Sequence, residues 1–378
     1  MNLGALIGAG LALCVAACGG APVAAAPETS TGESATPRVV QVKNAPEPGS
    51  EHGSTGERSA AATSLAVQGL ARGDGTAADR ELETGDAALA ISSFEEAARR
   101  YAAAQRLAPR DPAPLVGLAR VAMSEVSLAY GASADDARGR EALSLLDRAL
   151  ALDEAYLPAR FERGRVLLAL GRADDALATL TRTARELPED AEAQSALAVA
   201  RLATGDTEGA LSAFERAVRL EPTSAERNAN LGTAYMMRGD VERAARSYET
   251  ALRIEPNNAR VHGDLGAAYL AIGDLKGAQK HLTRAVALEP ERATFTSNLA
   301  YARLVEGKYE QALALARRAT QLDPELGSAW INLATAEARR GNLRGAREAL
   351  NRALVIDPTD PRALENSAEL AELEAARP

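Results

Sequence analysis

Two cysteines and three histidines are the only thiols and imidazoles among the 378 residues, and their positions limit the chemistry open to the chain. Cys14 and Cys18 both fall in the first twenty residues, so the body of the protein has no disulfide framework, cysteine zinc site or dithiol redox pair. His52, His262 and His281 stand in no metal-ligand spacing, and the sequence has no Gly-rich phosphate loop, His-Glu-x-x-His pair or serine nucleophile elbow. Paired acids such as Glu95-Glu96, Asp135-Asp136 and Asp174-Asp175 stand at or near expected helix starts, where a carboxylate complements the helix dipole. The residues therefore predict no catalytic site, no metal and no cofactor. Forty-three basic against 52 acidic residues give a net charge of -9, the wrong sign for binding phosphate backbones. Hydrophobic residues make up 46% of the chain and aromatics only 3%. That apolar share, mostly Ala and Leu, favours helices packed closely through small side chains.

Cys18 is the one residue whose surroundings point to a covalent role. From Leu3 to Ala17 the chain is apolar and uncharged for 15 residues, too short to span a bilayer as a helix but suited to the core of a secretory signal. The stretch ends in Val15-Ala16-Ala17-Cys18-Gly19. This resembles the lipobox of bacterial lipoproteins, which implies a signal peptide over 1–17 and lipid attachment at Cys18. A plain secretory signal cut near Ala26, or an uncleaved anchor, is the alternative, and the first basic residue is only Arg38. Cys14 fits less well as the modified residue because Leu13 precedes it. Gly19 resembles the outer-membrane sorting choice of enterobacterial lipoproteins, so the resemblance implies a cell-envelope location, lipid-anchored in the outer membrane and facing the periplasm. The 59 residues from Gly19 to Ala77 hold 5 Pro, 9 Gly and 12 Ala, a composition that cannot bury enough surface to offset chain ordering. They read, with Cys18, as a disordered tether over 18–77 with a root-mean-square span of about 45 Å. A short, marginal helix between Ala60 and Leu70 is possible within it.

Everything after residue 77 is organised by a period of 34. Prolines recur at Pro188, Pro222, Pro256, Pro290, Pro324 and Pro358, and glycines at Gly171, Gly205, Gly239, Gly273, Gly307 and Gly341. With Pro counted as the thirty-second residue of each unit, the eighth column is Gly or Ala in all eight units, from Gly85 to Ala334. The twentieth is Ala in all eight, from Ala97 to Ala346, and the twenty-seventh is Ala in all but Thr183. Small residues at fixed helical spacing let paired helices approach. Large ones such as Tyr101, Leu180, Phe214 and Tyr248 fill the twenty-fourth column, with Ala316 the outlier. Glycine at the fifteenth column supplies a left-handed turn between two helices, and Pro ends the second one. This pattern resembles the tetratricopeptide repeat, TPR, a helix-turn-helix unit. The fold it implies is an all-α, right-handed superhelical solenoid of about eight units with a C-terminal capping helix. The units are 78–111, 112–156, 157–190, 191–224, 225–258, 259–292, 293–326 and 327–360. The second carries eleven extra residues around Val126 to Asp136, which lengthen its first helix and open its turn into a loop. The cap, 361–378, begins at Pro361 with Leu364, Ala368 and Leu370 as its apolar residues. His262 occupies a column where the family usually has Trp and reads as a packing residue, while His281 reads as outward-facing on the second helix. An open solenoid is also expected to offer no water-poor site that strongly perturbs a carboxylate.

Function then falls to the concave face, which in this family is lined by the first helix of each unit. The sixth column reads Asn230, Asp264, Asn298 and Asn332 in units five to eight. Asn offers a donor and an acceptor, and the resemblance implies a ladder that pairs with the main chain of an extended peptide; alternatively Asn is only a consensus residue there. Met236, Met237, Leu270, Tyr301 and Leu304 form an apolar stripe beside it, suited to a peptide or apolar helix or else to packing between units. No unit has the basic and Asn pair that would clamp a carboxylate terminus, and the array from 78 onward has a net charge of -7. The expected partners are proteins or peptides and a membrane reached through the lipid, with no nucleic acid and no small-molecule substrate. The resemblance as a whole implies a non-catalytic, membrane-anchored scaffold in assembly of a cell-envelope complex. Pilotins that assist secretin assembly in type IV pili, TPR lipoproteins of gliding-motility complexes, and an accessory subunit of an envelope glycan-processing enzyme are the more specific alternatives.

Overall fold

The computed structural model describes residues 69–127 and 137–375. Among them are seventeen helices and no strand. They pair in order: α1 (Ala77–Ala90) with α2 (Phe94–Leu107), α3 (Ala113–Ser127) with α4 (Ala137–Leu152), α5 (Leu157–Ala169) with α6 (Ala173–Glu186), and α7 (Ala191–Ala203) with α8 (Thr207–Leu220). The series continues through α9 (Ala225–Arg238) and α10 (Val241–Ile254), α11 (Ala259–Ile272) and α12 (Leu275–Leu288), α13 (Ala293–Val305) and α14 (Tyr309–Leu322), and α15 (Gly327–Arg339) and α16 (Leu343–Ile356). It closes with α17 (Pro361–Ala375). Substantial packing joins each helix only to the next one or two along the chain, which is what makes the array a solenoid.

The turns follow from two adjacent residues. Gly171, Gly205, Gly239, Gly273, Gly307 and Gly341 all have φ between 71° and 87°, a region that costs a residue with a Cβ but not glycine. The next residue is often Asp: Asp206, Asp240 and Asp274 each accept the backbone N–H three positions on and so cap the following helix. At the unit's end the second helix stops two residues before Pro, because proline disfavours helical backbone in the residue preceding it.

The core explains the small columns. All eight alanines of the twentieth column are fully buried. A Cβ on Gly85 would lie 2.7 Å from the Tyr101 ring, one on Gly164 2.5 Å from Leu180, and one on Gly232 2.7 Å from Tyr248, so the eighth column is small because the twenty-fourth of the same unit presses on it. Units are then pinned to one another by polar contacts the period did not reveal. At the fourth column, Arg160, Gln194, Asn228, His262 and Trp330 all point a side-chain nitrogen at the main-chain oxygen that stands six residues earlier in the turn, at Glu154, Pro188, Pro222, Pro256 and Pro324. Only residues with a side-chain N–H can do this, which is why so chemically mixed a column still repeats. Thr296 breaks the series, and its buried hydroxyl has no partner. Asn228→Ala removes two such bonds, to Pro222 and Ser224, and is expected to lower stability by about 1–2 kcal/mol in urea titration; an unchanged midpoint would contradict the role.

One boundary differs from expectation, as does the buried face of the cap. The array starts at Gly69, within the segment read as tether: Leu70 is only 2% exposed, its N–H donates to Asp86 Oδ2 at 2.6 Å and that of Arg72 to Asp79 Oδ1 at 2.6 Å. A buried apolar side chain, with the carboxylates of buried Asp79 and half-buried Asp86 accepting main-chain N–H groups, holds that stretch to unit one. In unit two, α3 does run on to Ser127, and the rest of the insertion lies outside the described residues, as do the signal peptide, Cys18, the tether up to residue 68 and the last three residues of the cap. In α17 the buried residues are Ala363 and Leu370, not Leu364 and Ala368. Ala368 sits at the eighth column, which elsewhere meets the unit's own second helix, and none follows α17 among the described residues; both Leu364 and Ala368 are exposed.

Candidate peptide-binding groove

The first helices α1, α3, α5, α7, α9, α11, α13 and α15 stack with one face in common, and the character of that face changes halfway along. In units one to four it is filled by ion pairs. Tyr101 donates its hydroxyl to Asp86 at 2.8 Å, Arg120 meets Glu162 at 2.7 Å, and Arg165 reaches the other oxygen of Glu162 at 3.3 Å. Burial pushes the Glu162 carboxyl up, but the Arg165 and Arg120 guanidinium groups outweigh it and hold it below its ordinary value. Arg227 then bridges Glu192 at 3.0 Å and Glu221 at 2.9 Å. These charges serve one another and keep the units in register.

From unit five onward the ion pairs of this column give way to Asn and a loosely paired Asp. Asn230 is 1% exposed, and its Oδ1 has no hydrogen-bond partner. Asp264 follows one unit later with its side chain 14% exposed; its Oδ2 stands 3.6 Å from Arg260 Nη1, too far for a hydrogen bond, and neither atom has another partner. Burial raises the Asp264 carboxyl to about 6 against the pull of Arg260 and Arg292. The expectation that a solenoid cannot strongly perturb a carboxylate is therefore wrong, because side chains of three stacked helices exclude water from the seam. Asn298 is half-buried. Asn332 differs from the other three: its amide donates to the Ser297 carbonyl at 3.0 Å and to Ser297 Oγ at 3.1 Å, so its donor side ties units seven and eight together. Of the four, Asp264 and Asn298 keep partial exposure, whereas Asn230 is closed off from solvent.

The apolar stripe divides in the same way. Met236 belongs to the core with Tyr248, whereas Met237 beside it is 37% exposed. Leu270 and Leu304 are half-buried and pack against clusters between units, and Tyr301 is half-buried. The exposed apolar residues sequence reasoning overlooked are Ile272 and Val305, 42% and 49% exposed. Their places within two residues of Leu270 and Leu304, at the ends of their helices, were the available signal.

His262 is buried, in line with its reading as a packing residue, but His281 departs from expectation. His281 does not face outward: its ring stacks on that of His262 with centroids 5.1 Å apart, and the two Nδ1 atoms are 2.9 Å apart. The Pro256 carbonyl can only accept, so His262 carries its proton on Nε2 and receives the Nδ1–H of His281 at its own Nδ1. Burial, with His262 and Lys280 nearby, lowers the His281 imidazole to about 4. Among the described residues no group of three or more potential ligands could hold a metal ion, and no helix is long and apolar enough to cross a membrane.

A stack of helix pairs whose common face carries open polar and apolar positions is a protein-interaction scaffold of the helical-repeat class. The chain belongs to the tetratricopeptide repeat family: two models described by that name match residues 132–183, 161–225, 236–300 and 297–361, together more than half of its length. A search of curated proteins found no match. Among solved structures, a chain of the APC/C hetero-tetramer Cut9-Hcn1 is similar at 17% identity with a TM-score of 0.58, over 78% of this chain and 56% of that one. PilF of Pseudomonas aeruginosa is similar at 19% identity and a TM-score of 0.50, over 57% of this chain and 98% of that one. PilW, a type IV pilus biogenesis factor, is similar at 17% identity and a TM-score of 0.51, over 56% and 98%. At these identities the likeness is one of fold.

Proposed function

We propose that this protein is a non-catalytic scaffold, lipid-anchored at Cys18 in the cell envelope, that holds protein segments in the groove of units five to seven during assembly of an envelope complex. The observation that carries the reading is the recurrence of exposed apolar side chains, Met237, Ile272 and Val305, at the ends of three consecutive first helices. The sequence Val15-Ala16-Ala17-Cys18 supports the anchor, and one diacylglyceryl cysteine with a third acyl chain is a stable attachment.

Two experiments test it. Val305→Asp with Asn298→Ala changes exposed and half-buried positions, so the variant is expected to keep its helicity while losing at least tenfold of the envelope proteins recovered by affinity capture from cross-linked cells. Unchanged recovery would remove the groove. Labelling cells with a palmitate analogue is expected to mark the wild type and not Cys18→Ala; equal labelling would remove the anchor. A pilotin-like role is the second reading, drawn from the likeness to PilW and PilF, each of which corresponds to little more than half of this chain. It requires secretin subunits to remain monomeric when the gene is deleted.

A further inference from the structure

Of the eight second helices among the described residues, α12 alone carries no acidic residue, and its basic residues Lys276, Lys280 and Arg284 recur every four positions. That spacing puts them on one face. All three are exposed, while Ala278, Leu282 and Ala285 turn to the core. Among the described residues Lys276 and Lys280 make no ion pair, and neither does the exposed Arg246, which stands at the column of Lys280 one unit earlier. Arg284 shares its column with Arg216, Arg318 and Arg352, which lie within 4.0 Å of Glu189, Glu291 and Glu325 in the turn before. Unit five has Asn257 at that place, so Arg284 donates to a neutral amide oxygen at 2.6 Å and its charge stays uncompensated. Of the acids on the second helices to either side, α10 and α14, Glu249 accepts the Tyr269 hydroxyl and Glu310 holds Arg340. Glu242 is the one of them left open, against four uncompensated cations.

The chemistry of this face selects its occupant. α12 has no Phe, Tyr or Trp on which a nucleic-acid base could stack, and lysine is a flexible point charge that imposes no fixed geometry on a carboxylate. A planar anionic surface needs neither. Each Lys or Arg close to an anionic bilayer strengthens binding about fivefold. Charges farther from that surface than a Debye length, about 8 Å at physiological salt, are screened, so the local cluster outweighs the chain's net charge of -9. Four cations make a weak site for a protein in free solution. A chain already attached through Cys18 presents them at high effective concentration, and a tether span of about 45 Å lets the array lie down on the surface that holds it.

We propose that the outer face of α12, with Arg246 beside it, lies on the headgroups of anionic phospholipids, so that the array is held at two places, Cys18 and unit six. The shared face of the first helices is then turned from the bilayer and open to partners. The proposal rests on the reading of Cys18 as a lipid anchor.

The test uses the full chain purified from the membrane and reconstituted into vesicles of phosphatidylcholine alone, or of phosphatidylcholine and phosphatidylglycerol in equal parts, each containing a lipid with a quencher on its headgroup. A fluorophore is attached at Thr283→Cys, an exposed position between Lys280 and Arg284, or in a control chain at Met237→Cys on the first helix of unit five. Quenching at position 283 is expected to be at least threefold stronger in the phosphatidylglycerol vesicles, to fade at high salt, and to be lost when Lys276→Gln and Lys280→Gln are both present; position 237 should show no difference between the vesicles. Both lysines are exposed, so the double variant is expected to keep its helicity. Equal quenching in the two vesicles, or quenching unchanged in the double variant, would overturn the lipid face while flotation of the chain with both vesicles keeps the anchor. Flotation with the phosphatidylglycerol vesicles alone, lost in the double variant, would remove the anchor and keep the face. A chain that floats with neither would remove the two together. Position 283 indifferent to lipid, with recovery of cross-linked envelope proteins falling in the double variant, would assign α12 to an acidic protein and overturn the proposal.

Discussion

Replacing Tyr248 by Ala is expected to lower the unfolding free energy by about 4 kcal/mol, the largest loss foreseen for a single side chain in the array. Tyr248 is fully buried on α10. Its ring lies where a Cβ on Gly232 would come within 2.7 Å, so the facing glycine has no side chain with which to refill the space. The hydroxyl, 3.2 Å from Thr233 Oγ1 in a buried setting, would leave that group without a partner. Both terms add, a cavity that cannot collapse and an orphaned polar atom. Because a solenoid unit is stabilised by its neighbours alone, weakening unit five is also expected to uncouple the two halves of the array. Urea titration followed by circular dichroism should show a lower midpoint and a broader, two-phase transition. A loss below about 1.5 kcal/mol would mean the glycine and tyrosine columns are not a fitted pair.

The second large effect is electrostatic and depends on pH. In the unfolded chain Asp264 ionises near its ordinary value of 3.8, whereas in the fold burial holds its proton up to about 6. Between those values the folded state binds more protons than the unfolded one, so this group's contribution to stability is full below about pH 4 and is lost as pH rises to 6. A rise of that size corresponds to about 3 kcal/mol. Asp264→Asn keeps the shape and abolishes the charge, and is expected to stabilise the protein by about 2 kcal/mol at pH 8, allowing for the weak pairing that Arg260 gives up, with almost no effect at pH 4. The histidine pair works in the opposite sense. His281 is lowered to about 4 from an ordinary 6.5, so its contribution is full above pH 6.5 and is lost as pH falls toward 4. Between pH 4 and 6 the two groups act in opposite directions. On acidification across that range Asp264→Asn is therefore expected to lose more stability than the wild type, and adding His281→Gln is expected to reduce that loss. A gain from Asp264→Asn that is equal at pH 4 and pH 8 would show that the carboxylate ionises normally.

The periodic parts of the molecule were open to reading because they obey a local rule repeated from unit to unit. Alanine at the twentieth column, glycine at the fifteenth and proline at the thirty-second each act within one unit, through close packing, a positive φ and the end of a helix. Contacts between units were less legible. Asn332 and Asn298 occupy the same column, yet only Asn332 finds a serine, Ser297, standing opposite it in the unit before. The outward reading of His281 failed for a related reason: its partner His262 is 19 residues away, on the other helix of the unit, and helical spacing within one helix cannot report it.

The sequence by itself determined the class of fold, the number of units, their register, and the chemical oddity of Cys18, since each depends on short-range spacing and residue type. Only the tertiary structure decided which polar residues on the shared face were already paired and which were left open. Glu162 and Asp264 are both acids of the sixth column. Arg120 from the neighbouring unit and Arg165 one turn on neutralise the first, while the second sits 3.6 Å from its nearest guanidinium nitrogen. What separates the two is Arg120, which the stacking of α3 on α5 brings to Glu162, whereas Asp264 has Arg260 of its own helix at 3.6 Å.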